Sequence, residues 1–159
     1  MLGPHGLLPP GRHVVSIDEV HEPFVDDFPG SKTRATLFQQ WIDHRNAISR
    51  FAPIQHQWVD GSYTTSKVDP GDIDLVTFIN IEDLDNIPLP DRPLFKSLVN
   101  GHSTRAAWGI DSFMVPITPD THPGHSASVK LRGSFLRLFT GVRESDTIVK
   151  GILEVRDGE

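Results

Sequence analysis

Val59-Asp60-Gly61-Ser62-Tyr63 and Pro70-Gly71-Asp72-Ile73-Asp74-Leu75-Val76 stand close together, with nine residues between Ser62 and Asp72. Ile54 to Val59 reads as a short strand that Asp60-Gly61-Ser62 ends in a turn. Pro70-Gly71 marks a second turn, after which Asp72 to Ile81 runs as a strand rich in Ile, Leu, Val and Phe. Side chains alternate across a strand, so Asp72 and Asp74 share one face while Ile73 and Leu75 take the other. Two carboxylates side by side repel unless a cation neutralises them, and a hard divalent ion does so best. Glycine at 61 removes the Cβ that would keep other groups from the turn, leaving its N–H groups able to face a phosphate held beside the acids.

Upstream, Gly3-Pro4-His5-Gly6 and Pro9-Pro10-Gly11 forbid regular structure, so residues 1–14 are expected to be an extended arm. Ser16 to Glu19 fits a capping box, and Pro23 is expected to kink or end the helix it opens. Thr33 to Arg50 carries Leu37, Phe38, Trp41, Ile42 and Ile48 at helical spacing. Downstream, residues 82–92 read as an acidic, proline-punctuated loop, Pro93 to Val99 as a short helix closed by Asn100-Gly101, and Ile110 to Ile117 as a third strand. A helix from about Ala127 to Phe139 and a last strand from Thr147 to Val155 complete the chain. The order predicts an α+β domain: a mixed or antiparallel sheet of about four strands with helices on one face.

One domain accommodates all 159 residues. The absence of cysteine excludes disulfides, thiolate zinc sites and cysteine nucleophiles, and suits a cytoplasmic protein. A net charge of -6 argues against an extensive nucleic-acid surface. Met1 to Pro10 has no basic start of a signal peptide, and no apolar run reaches membrane-spanning length. His122 and His125 sit in a Pro-Gly loop with no third ligand in view, so zinc is not expected. Gly133-Ser134 repeats the dipeptide without an Asp-x-Asp after it and reads as helix. The three tryptophans are expected in packing.

Asp111, at the head of the Ile110 strand, is the third acid. If that strand neighbours the first pair, three carboxylates converge, and such a set can hold divalent ions and accept a proton from a hydroxyl. Lys67 and Lys150 are the basic side chains that can reach a phosphate nearby, an exposed strand-edge lysine being the competing reading of Lys150.

Gly61-Ser62, the gap of nine, Asp72-Ile73-Asp74 and Asp111 resemble the motif set of the DNA polymerase beta-like nucleotidyltransferase superfamily. A bacterial group of nucleotidyltransferase-like proteins without assigned function is similar over nearly the whole chain. Its blocks are Leu8-Pro9-Pro10-Gly11 with His13, Asp60-Gly61-Ser62-Tyr63, Pro70-Gly71-Asp72-Ile73-Asp74 and Lys150-Gly151-Ile152-Leu153-Glu154.

The resemblance implies a nucleotidyltransferase fold in which Gly61 and Ser62 contact the nucleotide's phosphates. Asp72, Asp74 and Asp111 would hold Mg²⁺, or Mn²⁺ in its place, with Asp111 as metal ligand or base. It implies transfer of a nucleoside monophosphate from an NTP such as ATP to a hydroxyl, with a protein or tRNA acceptor favoured and a toxin–antitoxin or defence setting. The chain departs from the pattern where an arginine often follows the serine: Tyr63, Thr64 and Thr65 fill that stretch. That departure, with no appended acceptor-binding domain, supports the alternative of a binding module that keeps the fold and acts through a partner protein.

Overall fold

A computed structural model describes residues 1–142 and 145–157. Seven strands form: β1 (Arg12–Val15), β2 (His56–Asp60), β3 (Ile73–Asn80), β4 (Ile110–Ile117), β5 (Gly141–Val142), β6 (Ser145–Val149) and β7 (Ile152–Val155). Five make one mixed sheet in the order β1-β7-β2-β3-β4, while β5 and β6 pair as a separate ribbon. The outer pairs, β1 with β7 and β3 with β4, are parallel; β2 runs antiparallel to both its neighbours.

The α+β class is as expected, but the sheet has five strands rather than four. Residues 12–14 of the expected arm, with Val15, are an edge strand laid along β7. The run expected as one last strand divides at Lys150-Gly151 because the backbone changes partners there. Lys150 N–H donates to Thr140 O at 2.9 Å, and Gly151 N–H to Leu8 O at 3.0 Å. Helices also cover both faces instead of one. α1 (Ile17–His21) and α2 (Arg34–Ser49) pack Val20, Phe24, Leu37 and Trp41 onto Val59, Ile73, Leu75, Leu153 and Val155. α6 (His125–Thr140) lays Phe139 and Phe135 on Trp58, Val76, Phe78, Val115 and Ile152 of the opposite face. Strand alternation made both faces apolar, so each required cover.

The capping box forms as expected: Ser16 Oγ accepts from Glu19 N–H and Glu19 Oε2 accepts from Ser16 N–H. Pro23 does not end this helix; residues 22–26 continue it as a π-type turn that buries Phe24. The acidic segment expected as loop holds a short α3 (Ile81–Asp85), which brings Leu84 to a second cluster with Ile48, Ile79, Ile87 and Phe95. α4 (Arg92–Leu98) supplies Phe95 and Leu98 to the same cluster. Gly133 and Ser134 are helical, within α6. Trp41 and Trp58 are fully buried and Trp108 packs partly buried between two clusters.

Candidate functional site

β2, β3 and β4 lie side by side, and their register aligns Asp60 with Asp74 and Asp74 with Asp111. Residues directly opposite across strands share a face, so three carboxylates form one row on the α6 side of the sheet. Asp72 stands just before β3, where Ile73 N–H donates to Gly109 O at 3.0 Å.

The glycine turn closes on this row. Gly61 has φ +82°, and a Cβ there would stand 2.7 Å from Asp74 Oδ2. Only a residue without a side chain lets the turn and the carboxylate come this close. Ser62 opens a short 3-10 turn to Thr64, and its carbonyl accepts from Thr65 N–H at 3.2 Å and Thr65 Oγ1 at 2.7 Å.

Behind the turn lies Arg34, a buried residue that sequence reading passed over. Its guanidinium donates to Phe24 O (3.0 Å), Tyr63 O (2.7 Å), Thr65 O (2.7 Å) and, twice, Lys67 O (2.6 and 3.2 Å). The group is flanked by the rings of Phe28 and Tyr63, at 3.8 and 5.1 Å. A single side chain thus fixes the path of residues 63–67. Lys67, expected to bind phosphate, contributes its backbone carbonyl to this clip while its side chain stays exposed.

Two further groups reach the acids from the segment before β4. Gly101, at φ +65°, bridges Ser112 through hydrogen bonds of 2.6 and 3.2 Å. Thr104 Oγ1 lies 2.7 Å from Gly101 O and 2.6 Å from Ile110 O, between which its one proton is shared, and accepts from Ser112 N–H. This lock delivers His102, whose Nδ1 lies 2.7 Å from Asp111 Oδ2. It also delivers Arg105, at the head of α5 (Arg105–Trp108). Arg105 Nε lies 2.7 Å from Asp111 Oδ1 and 3.1 Å from Asp72 Oδ2, and Nη2 donates to the other Asp111 oxygen. Arg105 is half-exposed and bridges two of the three expected ligands. Its spacing from Asp111 carries no recognisable motif, so nothing in the sequence marks it.

Charge is distributed unevenly over the row. The hydrogen bonds from Arg105, together with His102, hold Asp111 below the usual carboxylate range although it is buried. Burial pushes Asp60 up to about 7, against the opposing pull of Lys150 and the Gly61 amide. Lys150 Nζ lies 2.7 Å from Asp60 Oδ1 and is largely buried, so Lys150 is an ion-pair partner inside the site rather than an exposed edge residue. Asp74 is also raised, by burial first and then by the charges of Asp72 and Asp111. Among the described residues no side chain donates a hydrogen bond to it. Nor, among those residues, do three acidic or histidine groups already stand as a metal cage. His122 and His125 are engaged locally, His122 Nδ1 accepting from Gly124 N–H and His125 Nδ1 lying 3.0 Å from Thr118 Oγ1.

Fold and site define a mixed α+β domain with a carboxylate row backed by a glycine turn. The chain matches the family model described as "Family of unknown function (DUF6932)" over residues 2–156 and belongs to that family. No curated protein and no solved structure shows significant similarity to it. No described helix is long and apolar enough to cross a membrane.

Proposed function

We propose that this chain is a Mg²⁺-dependent nucleotidyltransferase that moves a nucleoside monophosphate from an NTP to a hydroxyl acceptor, forming a bond from that oxygen to the α-phosphorus and releasing pyrophosphate. The observation that carries the reading is Asp74: a partly buried carboxylate aligned with Asp111, raised by burial and by the charges of Asp72 and Asp111, with no side-chain donor among the described residues, beside Gly61. Such a group is stabilised by a cation. Asp72, Asp74 and Asp111 are the residues that would hold it, with Mn²⁺ as the substitute ion. The bound ion supplies charge neutralisation for a triphosphate and acidity for the attacking hydroxyl.

The remaining work falls to side chains. Gly61 and Ser62 present a turn with no Cβ at its apex, fixed from behind by Arg34, against which phosphates can approach closely. Arg105 carries the positive charge missing after Ser62; on releasing Asp72 and Asp111 it faces the transferring phosphoryl group. Asp111, then freed from Arg105, accepts the acceptor's proton. Lys150, paired with Asp60, sets the field at the other end of the row. A protein hydroxyl or a tRNA end is the acceptor class this reading favours, within a toxin–antitoxin or defence setting in the cytoplasm.

A second reading is supported by Arg105 itself. Its contacts with Asp72 and Asp111 satisfy much of the site's charge internally, as suits a nucleotide-binding module that acts through a partner protein. Incubation with each labelled NTP, Mg²⁺ or Mn²⁺ and a lysate or tRNA pool separates them. Label transferred by the native chain and lost in Asp72→Asn/Asp74→Asn supports the enzyme. Saturable Mg²⁺-nucleotide binding with no transfer supports the module, and no binding at all rejects both.

A further inference from the structure

A cavity of about 390 Å³ lies between α6 and the β1-β7-β2 side of the sheet, lined by Arg12, Trp58, Arg132, Leu136, Thr140 and Ile152, among others. Its volume falls within the range of small-molecule pockets, and its walls are largely hydrocarbon and indole. The charges around it do not balance. Glu154, aligned with Trp58 on the same face, is buried and accepts from Arg12 Nη1 at 3.3 Å, Arg156 Nε at 2.7 Å and Trp58 Nε1 at 2.9 Å. His56, whose Nε2 is 3.9 Å from Glu154, is lowered to about 4 by burial and stays neutral at physiological pH. Arg132 has no acidic partner among the described residues and rests over the Trp58 ring at 5.4 Å. Two guanidinium groups therefore share the one carboxylate of Glu154, and a third, Arg132, stands nearby over Trp58, in a chain whose net charge is -6.

We propose that this cavity is a binding site for a small amphipathic anion. Its apolar body lies against Leu136, above the buried Trp58 and Ile152, and its phosphate or carboxylate head is held by Arg132 and Arg12. The two parts answer separate features of the site. An apolar hollow rewards burial of a ring or branched chain, while an arginine with no acidic partner among the described residues, beside a second with one side engaged, favours a planar or tetrahedral oxyanion. The position of Arg132 over the Trp58 ring, 5.4 Å from its centroid, keeps the guanidinium beside the cavity. The site is separate from the carboxylate row and stands whether or not nucleotides are turned over. Trp58 and Asp60 are two residues apart on one strand, so the cavity sits roughly 7 Å from the row's edge on the same face.

The test uses the full chain with phenyl phosphate, phenylacetate, neutral benzyl alcohol and inorganic phosphate as probes. Binding is followed by the Trp58 indole N–H resonance and by melting temperature. At least one of the two aromatic anions should titrate the indole signal saturably, and benzyl alcohol and inorganic phosphate should bind about tenfold more weakly or not at all. Arg132 is exposed, so Arg132→Gln should fold normally and lose about tenfold in affinity, with Arg132→Lys recovering part of it. Asp74→Asn should leave this binding unchanged, which separates the cavity from the nucleotide site. The proposal is overturned if neither aromatic anion titrates Trp58, if benzyl alcohol or inorganic phosphate binds as well, if Arg132→Gln binds equally, or if Asp74→Asn abolishes binding.

Discussion

The carboxylate of Asp74 fills the space that a side chain at Gly61 would need, a Cβ there meeting Asp74 Oδ2 at 2.7 Å. Turn and strand are thereby coupled: moving one displaces the other. Gly61→Ala incurs both the clash and a left-handed backbone at φ +82°. It should cost roughly 1–3 kcal/mol in urea unfolding. Any Mg²⁺-nucleotide effect on melting temperature should disappear with it. A variant of native stability that still responds to nucleotide would mean that the close approach has no role.

Asp74→Asn should act in the opposite direction on stability. The native carboxylate is raised by burial, Asp72 and Asp111, so its charge works against the fold in metal-free solution. Replacing it with the neutral isostere should raise stability by about 1 kcal/mol at neutral pH in EDTA. The same change should abolish stabilisation by Mg²⁺ or Mn²⁺ with nucleotide. Gain in one assay and loss in the other distinguish a ligand-holding acid from a merely solvated one, for which both effects would be near zero.

Local pattern was enough to find β2, β3, β4 and the Asp72–Asp74–Asp111 set, because alternation and turn residues act over a few positions. Long-range pairing was not legible. Arg12, His13 and Val14 read as arm because nothing in Arg12–Val15 says that β7 will lie beside it. Asp60 was read as a turn residue, since its place in the row depends on the β2–β3 register. Arg34 and Arg105 act through carbonyls and carboxylates distant in space or set by a loop, and neither leaves a periodic signature. For Lys150 the sequence leaves a phosphate-reaching side chain and an exposed edge residue as competing readings, and its burial follows from the chain bending at Gly151 beneath Pro9.

Arg34 tests whether the loop after Ser62 is held from behind. Its five hydrogen bonds end on four carbonyls that have few alternatives once buried. Arg34→Met should lower stability by roughly 3 kcal/mol or more. Arg34→Lys should recover little, because an ammonium cannot span the carbonyls that the planar fork reaches. Hydrogen exchange should show the loss centred on residues 63–67. A lysine variant of native stability would show that charge, not the fork, is what the loop requires.

Asp60 sets a pH dependence whose sign is opposite to that of most acids. Its carboxyl is held at about 7 by burial, above the ordinary 3.8 that the unfolded chain is taken to have. Between those values the folded state keeps a proton that the unfolded state releases. The contribution is complete below about pH 4 and is lost as pH rises through about 7, by an amount on the order of a few kcal/mol. Asp111 and Glu154, both held low, act in reverse and lose stability only as pH falls below the usual carboxylate range. Between about pH 4 and 6.5 the histidines that burial holds low, His56 at about 4 and His44, act against Asp60, because the unfolded chain binds protons there that the folded chain does not. Asp60→Asn removes only the falling contribution, so urea unfolding from about pH 5 to 8 should show stability that falls less, or rises more, with pH than in the native chain. Carboxyl NMR should place the native Asp60 midpoint near 7; a midpoint below 5 would show that the Lys150 pair outweighs burial and that the row carries one more full negative charge at neutral pH.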